Sequence, residues 1–228
     1  MPELFNTRTP EERRRACRCA GEVLRAGGIV VYPTDTTYAL GVNATDDAAV
    51  ARLFGMKRRA RGKPVHLAVA SIDLAARYAV LNSEALTLAA AFLPGPLTLV
   101  VPRRGEVPDS LVAGLPTVGI RIPDHELCLE MLESAGIAVT ATSANLSGEP
   151  AAYSVAEIQD QFGDAVAAVD MILDGGRLPL IPPSTVVDLT HSPPRILRQG
   201  PVSLAELRRV LPEIAEGADD RGGHTVLI

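Results

Sequence analysis

The sequence predicts an α/β fold, in which helices pack on a twisted sheet of mixed parallel and antiparallel strands. Helical and strand-like segments alternate through the first two thirds of the chain, which favours parallel crossovers. The last three strand-like segments follow one another without helices, which favours antiparallel pairing. The 228 residues are 47% hydrophobic and 21% charged, a composition typical of a globular chain. With no internal repeat and no dividing linker, we predict one domain over residues 1–211 and a polar tail over 212–228.

Helix starts are indicated by capping residues. Thr9 and Glu12 form a capping box with proline between them, and further Ser-x-x-Glu boxes begin at Ser154 and Ser203. Two glycines at 27 and 28 end the first helix. The predicted helices cover residues 10–25, 47–57, 71–79, 83–92, 124–134 and 154–162, and a last helix begins at 203.

Short apolar runs predict buried strands. These runs cover residues 29–32, 65–70, 97–101, 116–122, 137–142, 168–173, 185–189 and 195–198. The hydroxyl-rich segment 33–41 is predicted to be a loop. In the tail, residues 226–228 either add a short strand or stay loose.

Several classes of protein are excluded by composition. No apolar run reaches the roughly 18 residues needed to cross a bilayer, so we expect no membrane association. The first residues have no apolar core of a secretory signal, and we expect a cytoplasmic protein. The three cysteines and four histidines lack the spacing of a zinc site, so no metal ligand is predicted within the chain.

A cluster of cations points to an anion site. Five basic residues fall within seven positions of a chain whose formal net charge is −5: Lys57, Arg58, Arg59, Arg61 and Lys63. If the segment bends at Gly62, then Lys57, Arg59 and Lys63 converge around one triphosphate, with Arg59 suited to bidentate contact. The alternative is a solvated basic loop, in which Lys57 merely complements a helix C-terminus. A Walker loop is excluded because Pro64 stands where Ser or Thr should be.

Hydroxyl side chains follow two predicted strands directly, at residues 34–38 and 142–145. Ligands of open α/β sheets bind at such strand ends. The alternative for residues 34–38 is an ordinary turn that caps itself through its own hydroxyls. A serine hydrolase based on Ser143 is excluded, since no nucleophile elbow surrounds it.

Five motifs together resemble the YrdC-like family of threonylcarbamoyl-AMP synthases, in its short, single-domain form. They occur in the family's order between residues 12 and 210. The motifs are residues 32–41 (YPTDTTYALG), 57–64 (KRRARGKP), 118–123 (VGIRIP), 142–148 (TSANLSG), and 184–188 (STVVD) with 197–200 (LRQG).

The resemblance implies an activity and its substrates. L-threonine, bicarbonate or CO₂, and ATP with Mg²⁺ would give threonylcarbamoyl-AMP and pyrophosphate, for the threonylcarbamoyl-adenosine modification of tRNA. Residues 1–211 would then form a YrdC-like catalytic domain. The implied partners are downstream tRNA threonylcarbamoyl-transfer proteins, with a weak contact to tRNA itself.

The resemblance also assigns the site residues. The catalytic residues would be Lys57 and Arg59, and threonine would be bound by Thr36, Arg121, Ser143 and Ser184. ATP would be bound by Arg59, Lys63, Thr117, Asn145 and Arg198. Arg121 lies in a strand and needs a partner if buried, which is either the carboxylate of the amino acid or an internal Asp or Glu.

Two other functions compete with this assignment. An RNA-binding module would use the same cations without chemistry, but the net charge is acidic and tryptophan is absent. A carbamoyl-adenylate enzyme serving another acceptor, as in hydrogenase maturation, is disfavoured because acylphosphatase and zinc-finger regions are missing.

Departures from the family pattern yield a prediction about ATP affinity. Alanine stands at 39 where the family has glycine, and Ala60 and Gln199 replace prolines after Arg59 and Arg198. Because proline restricts loop conformations, its loss should loosen both loops and weaken ATP binding. We therefore expect an Ala60→Pro variant to bind ATP more tightly in a titration, and equal affinity would count against this explanation.

Overall fold

A computed structural model describes residues 2–6, 9–60 and 62–217. Its α-helices are α1 (Pro10–Arg25), α2 (Asp47–Lys57), α3 (Ile72–Tyr78), α4 (Ser83–Phe92), α5 (Asp109–Val112), α6 (Glu126–Ala135), α7 (Val155–Phe162) and α8 (Leu204–Val210), with a 3₁₀ helix at Gly163–Ala168. Its strands are β1 (Glu3–Asn6), β2 (Val30–Pro33), β3 (Tyr38–Gly41), β4 (His66–Ala68), β5 (Leu97–Pro102), β6 (Thr117–Arg121), β7 (Val139–Ser143), β8 (Met171–Asp174), β9 (Thr185–Asp188), β10 (Arg195–Arg198) and β11 (Ala215–Glu216).

The strands form one mixed sheet, as predicted. Among the described residues its order is β1-β8-β2-β3-β7-β4-β6-β5-β9-β10-β11. Strand β7 is antiparallel to both of its neighbours, β3 and β4. Strand β4 is parallel to β6, and β5 is parallel to β9. The helices lie outside this sheet and connect its strands.

Two expectations about strand pairing need correction. Residues 38–41, predicted as loop, form β3 and pair with β2 in an antiparallel hairpin, because the apolar Tyr38 and Leu40 are fully buried. The last three predicted strands do not all pair with one another. β9 and β10 are antiparallel, but β8 runs parallel to β1 and β2 at the other end of the sheet.

Helix caps follow the predicted pattern at two of three boxes. Thr9 and Ser203 each exchange hydrogen bonds with the glutamate three residues later. At α7, the Ser154 hydroxyl accepts from the Glu157 N–H, but the Glu157 carboxylate accepts from the Tyr153 N–H at 2.7 Å. At this third box, the glutamate therefore accepts from the residue before the N-cap serine instead of from the serine itself.

The core contains a compact contact between α1 and α6. Buried residues of the two helices interdigitate beneath β2 and β8: Ala16, Cys17, Ala20, Leu24, Leu127, Cys128, Met131 and Leu132. A side chain at Gly21 would come within 2.9 Å of the Ser134 backbone, so glycine permits this close approach. The three cysteines are free thiols.

The first part of the predicted tail joins the sheet. Ala215 and Glu216 form β11 and pair in parallel with β10. The predicted boundary at 211 therefore lies just before the last edge strand, and the expectation for residues 226–228 falls outside the described residues. No helix in the described ranges is long and apolar enough to cross a membrane.

The central position of β4 allows a stability prediction. Leu67 is 0% exposed, whereas Leu86 on α4 is 47% exposed. Leu67→Ala removes buried methyl groups and leaves a cavity, so we expect a loss of about 2 to 5 kcal/mol of unfolding free energy in urea. Leu86→Ala is the matched control and should change it by about 0.5 kcal/mol or less. Equal losses in the two variants would contradict the assigned burial.

Candidate functional site

A cavity of about 130 Å³ lies at the strand ends of the sheet. Most of the predicted site residues converge there, although they come from six separate parts of the chain. Its lining residues are Thr36, Thr37, Arg59, Pro64, Val65, His66, Thr98, Arg121, Ala141, Thr142, Ser143, Pro183, Ser184 and Arg198. Thr36, Arg59, Arg121, Ser143, Ser184 and Arg198 are the predicted residues that the fold brings together here.

The turn between β2 and β3 presents two threonines to the cavity. The Thr34 hydroxyl accepts from the backbone N–H groups of Thr36 and Thr37, each at 3.2 Å, and donates to the Thr37 carbonyl at 2.7 Å. Thr34 therefore caps the turn, as the structural alternative for this segment proposed. The capped turn directs Thr36 and Thr37 into the cavity. The self-capping interpretation therefore applies to Thr34, and the ligand-binding interpretation to Thr36 and Thr37.

Arg121 has an internal partner as well as a place in the cavity. Its guanidinium donates to the Asp35 carboxylate at 2.5 Å and to the Thr36 hydroxyl at 3.0 Å. Arg121 is buried, and its Nε has no hydrogen-bond partner within the described part of the chain; the same holds for Oδ2 of Asp35. Arg121 thus has the internal carboxylate partner that the sequence analysis gave as one of two possibilities, and its Nε donor stays unused.

Arg59 and Arg198 are held by oxygens that carry no formal charge. Arg59 donates to the carbonyls of Lys63 and Pro64, at 3.2 and 2.7 Å. Arg198 donates to the carbonyl and hydroxyl of Ser184, at 3.1 and 3.3 Å. Burial lowers the pKa of both arginines. Because no carboxylate pairs with either of them among the described residues, the cavity carries excess positive charge and suits a polyanion.

Lys57 does not reach the cavity, which corrects the expected convergence of three cations. It is 1% exposed, and its ammonium donates to the Ser143 carbonyl, to the Asn145 carbonyl at 2.7 Å and to Asn145 Oδ1 at 3.3 Å. These three acceptors use all of its donors, leaving none for a phosphate. Lys57 instead ties the end of α2 to the segment that follows β7.

Asn145 is also used within the protein. Its Oδ1 accepts from the Ser143 hydroxyl at 2.5 Å, and its amide nitrogen donates to the Glu149 carbonyl at 2.6 Å. It is buried and does not line the cavity, and its contact to ATP stays a prediction. Its role here is to fix the Ser143 hydroxyl.

Two further predicted residues lie away from the cavity lining. Lys63 is half-buried in the turn after Arg59, and Thr117 begins β6 beside Pro102. Of the remaining cluster, Arg58 is an exposed left-handed cap of α2, and Arg61 falls outside the described residues. The basic cluster is therefore not a continuous solvated surface.

His66 is the main cavity residue that sequence reasoning missed. It begins β4, and its ring lies over Gly119, where an added Cβ would be 2.5 Å from His66 Cδ2. Burial lowers the pKa of the imidazole to about 3, and the cavity arginines strengthen this effect. A lone histidine in an apolar run gives no spacing signal, so only the register of β4 reveals it. Thr98 was likewise missed, whereas Thr37 and Thr142 lie in the two hydroxyl-rich segments that the sequence indicated without an individual role.

The sequence and fold match one known family over most of the chain. The model of the Sua5, YciO and YrdC family, with the description "Telomere recombination", matches residues 22–200. The chain belongs to this family. The threonylcarbamoyl-AMP synthase of Pyrococcus abyssi is 39% identical over 215 residues, which cover 94% of this chain and 62% of that protein. The chain thus spans less than two thirds of that relative's length.

Other members of the family match along their whole length or in three dimensions. A protein of Mycobacterium leprae is 39% identical over 212 residues, covering 92% of this chain and 94% of that protein. The crystal structure of P. abyssi Sua5 complexed with L-threonine superposes with a TM-score of 0.89 at 36% identity, covering 98% of this chain and 64% of that one. The family's fold accounts for the whole described sheet.

One departure from the family pattern is compensated in the structure. The Gln199 side chain donates to the carbonyls of Gly200 and Val202, at 3.0 and 2.8 Å. The loop after Arg198 is therefore closed by side-chain hydrogen bonds where the family pattern has proline. At Ala60, which is exposed, the carbonyl accepts from the Lys63 N–H at 3.1 Å. Any loosening is thus expected at Arg59 rather than at Arg198.

The buried ammonium of Lys57 yields a prediction about stability and pH. Burial lowers its pKa from 10.5 to about 7, with a contribution from Arg59. Between these values the unfolded chain binds more protons than the folded one, so the free energy of unfolding should rise with pH in this window. Relative to Lys57→Met, wild-type protein should gain up to about 1.4 kcal/mol per pH unit in urea unfolding.

The control for this measurement is Lys63→Met, which removes a lysine outside the core. It corrects for general effects of changing the net charge. Parallel pH curves for wild type and Lys57→Met would show that the folded protein does not desolvate this ammonium.

Proposed function

We propose that this chain is a threonylcarbamoyl-AMP synthase. It would make threonylcarbamoyl-AMP and pyrophosphate from L-threonine, bicarbonate or CO₂, and ATP, for the threonylcarbamoyl-adenosine modification of tRNA. The observation that carries the proposal is the convergence of Arg59, Arg121 and Arg198 with hydroxyl side chains in one cavity, within a chain of this family. ATP is a polyanion and threonine has a carboxylate, and the cavity carries excess positive charge.

The amino acid would bind at the Arg121 end of the cavity. Arg121 has an unused Nε donor, and the Thr36 hydroxyl lies 3.0 Å from its guanidinium. A carboxylate bound there would supply the partner that the buried Nε lacks, without displacing Asp35. The hydroxyls of Ser143 and Ser184 line the same cavity and can bond the substrate hydroxyl.

The nucleotide would place its phosphates against Arg59 and Arg198. Both guanidinium groups keep their full positive charge, since backbone and hydroxyl oxygens accept from them without neutralising it. Contacts from Lys63 and Thr117 to ATP remain predictions. Lys57 and Asn145 would act indirectly: Lys57 fixes the Ser143 carbonyl, and Asn145 fixes the Ser143 hydroxyl.

We propose that Mg²⁺ arrives with ATP. The cavity lining contains no carboxylate or thiolate, and the described residues hold no cluster of His, Cys, Asp or Glu that fits a metal. We therefore expect phosphate oxygens and water, rather than the described side chains, to hold the ion.

Catalysis would rest on positioning and electrostatics. The threonine amine becomes a carbamate, whose oxygen attacks the α-phosphate of ATP in line while pyrophosphate leaves. None of these bonds involves a protein nucleophile. Arginines fixed before substrate arrives stabilise negative charge without reorganisation, and binding both substrates in one cavity removes the entropic cost of their encounter.

The RNA-binding alternative is not favoured by this geometry. Of the described members of the basic cluster, Lys57 is buried and Arg59 lines the cavity, so the cluster does not form the continuous basic surface that this alternative needs. A weak contact to tRNA and delivery of the product to downstream transfer proteins in the cytoplasm remain part of the proposal.

The proposed reaction is tested by pyrophosphate release from ATP with bicarbonate and Mg²⁺. We expect release to depend on L-threonine and to fall with valine, because the groups that bond the hydroxyl would be left unpaired. Arg59→Ala should lower the rate about 100-fold or more, since it removes a fixed charge beside the phosphates. Arg58→Ala, a change of the neighbouring exposed arginine, is the matched control and should retain activity.

A specific result would overturn this proposal. Folded protein that releases no pyrophosphate with any amino acid would remove the synthase assignment. Salt-dependent tRNA binding would then test the RNA-binding module, because contacts to many phosphates weaken steeply with salt.

A further inference from the structure

We propose that His66 accepts the proton that the threonine ammonium must lose before the carbamate can form. This inference rests on the proposed synthase function and adds a catalytic residue to it. It comes from three observations: the position of the imidazole, its unused nitrogens, and the absence of any other base in the cavity lining.

The sheet places the His66 ring over small residues. His66 pairs with Ala141 of β7, and its ring lies against Gly119 of β6. These neighbours have at most a methyl group, so the imidazole lies across three strands and lines the cavity. Ala68, two residues along the same face of β4, pairs with Arg121. The imidazole and the proposed carboxylate site therefore face the same side of the sheet.

The ring nitrogens of His66 are not used by the protein. Neither makes a hydrogen bond to any described residue, although the ring is half-buried. A histidine with a structural role usually donates or accepts at one nitrogen at least. Here both nitrogens are available to a ligand in the cavity.

No other lining side chain is a neutral base. Apart from His66, the titratable residues of the lining are the three arginines, which stay protonated. Asp35 does not line the cavity, and its Oδ1 accepts from Arg121. The Lys57 ammonium is held by Ser143 and Asn145. Among the lining residues, His66 is therefore the neutral base available to a proton that leaves the substrate.

The charges around His66 suit this role. Burial and the guanidinium groups of Arg198, Arg59 and Arg121 keep its pKa low, at about 3, so the imidazole is unprotonated at neutral pH. The triphosphate and the carboxylate of the substrates bring opposite charge to these same arginines. Substrate binding therefore raises the pKa of His66 and makes it a stronger base when the ammonium is present.

The proton balance needs one acceptor when bicarbonate is the carbon source. The ammonium loses one proton to His66 and becomes an amine, and its nitrogen lone pair then attacks the bicarbonate carbon. A C–N bond forms, a C–O bond breaks, and water leaves with the second proton of the amine. The carbamate keeps one N–H and one negative charge, and imidazolium returns its proton to solvent after pyrophosphate leaves.

The test uses steady-state pyrophosphate release by full-length wild type and three variants. His66→Gln keeps a polar side chain of similar size without a basic nitrogen, and His66→Ala opens space for added imidazole. His191→Gln is the matched control, because that histidine has a side chain 51% exposed on the β9–β10 turn. Circular dichroism and urea unfolding confirm that each variant folds.

The proposal has a defined kinetic signature. For His66→Gln we expect kcat to fall about 100-fold, a usual contribution of one proton transfer, while KM for threonine changes by less than about threefold. The deficit should shrink as the pH rises, because solution then supplies the unprotonated amine. Added imidazole should partly restore His66→Ala, and His191→Gln should match wild type.

Other results would overturn it. An unchanged kcat, or a raised KM with unchanged kcat, would make His66 at most a binding residue. A deficit that neither pH nor imidazole relieves would mean a structural role. These outcomes require active wild-type protein; a wild type that releases no pyrophosphate would instead remove the synthase function and this role with it.

Discussion

Strand β7 is the constraint on which the rest of the structure depends. It is hydrogen-bonded on both sides, to β3 and to β4, and thereby joins two groups of strands into one sheet. The residues at its end then do two jobs. The Ser143 hydroxyl lines the cavity, while the backbone carbonyls of Ser143 and Asn145 accept from the buried Lys57 ammonium and anchor α2. The scaffold and the site are therefore linked through the same few peptide groups, and neither is independent of the other.

The positive charges that line the cavity lower the stability of the folded protein. Three arginines share a small volume, and a carboxylate pairs with just one of them among the described residues. Such groups lose hydration and repel one another, so their arrangement opposes folding until an anion arrives. Uncharged oxygens hold Arg59 and Arg198 in place, so both side chains keep the positive charge that an anion needs. Sites that bind polyanions commonly break local rules of stability in this manner.

The sequence allowed the fold class and much of the cavity to be predicted, for reasons that particular residues illustrate. Thr36 and Ser143 follow apolar strands, and strand ends meet at one edge of such a sheet. Arg121 lies within an apolar strand, and burying its charge lowers stability unless a partner or a ligand pairs with it. Lys57 was misplaced because a basic cluster does not reveal which ammonium is buried and bonded to carbonyls. His66 and β3 depended on pairing register and on tertiary burial, which local patterns do not encode.

The contact between His66 and Gly119 ties two distant positions of the chain to one another. The imidazole fills the space that a side chain at 119 would need. The side chains at 66 and 119, on two neighbouring strands, therefore share one limited volume. A methyl group added at 119 collides with the ring, whereas a smaller residue at 66 frees 119 from being glycine. As homologous chains diverge, a larger residue at 119 is therefore expected only in chains where position 66 has a smaller side chain than histidine.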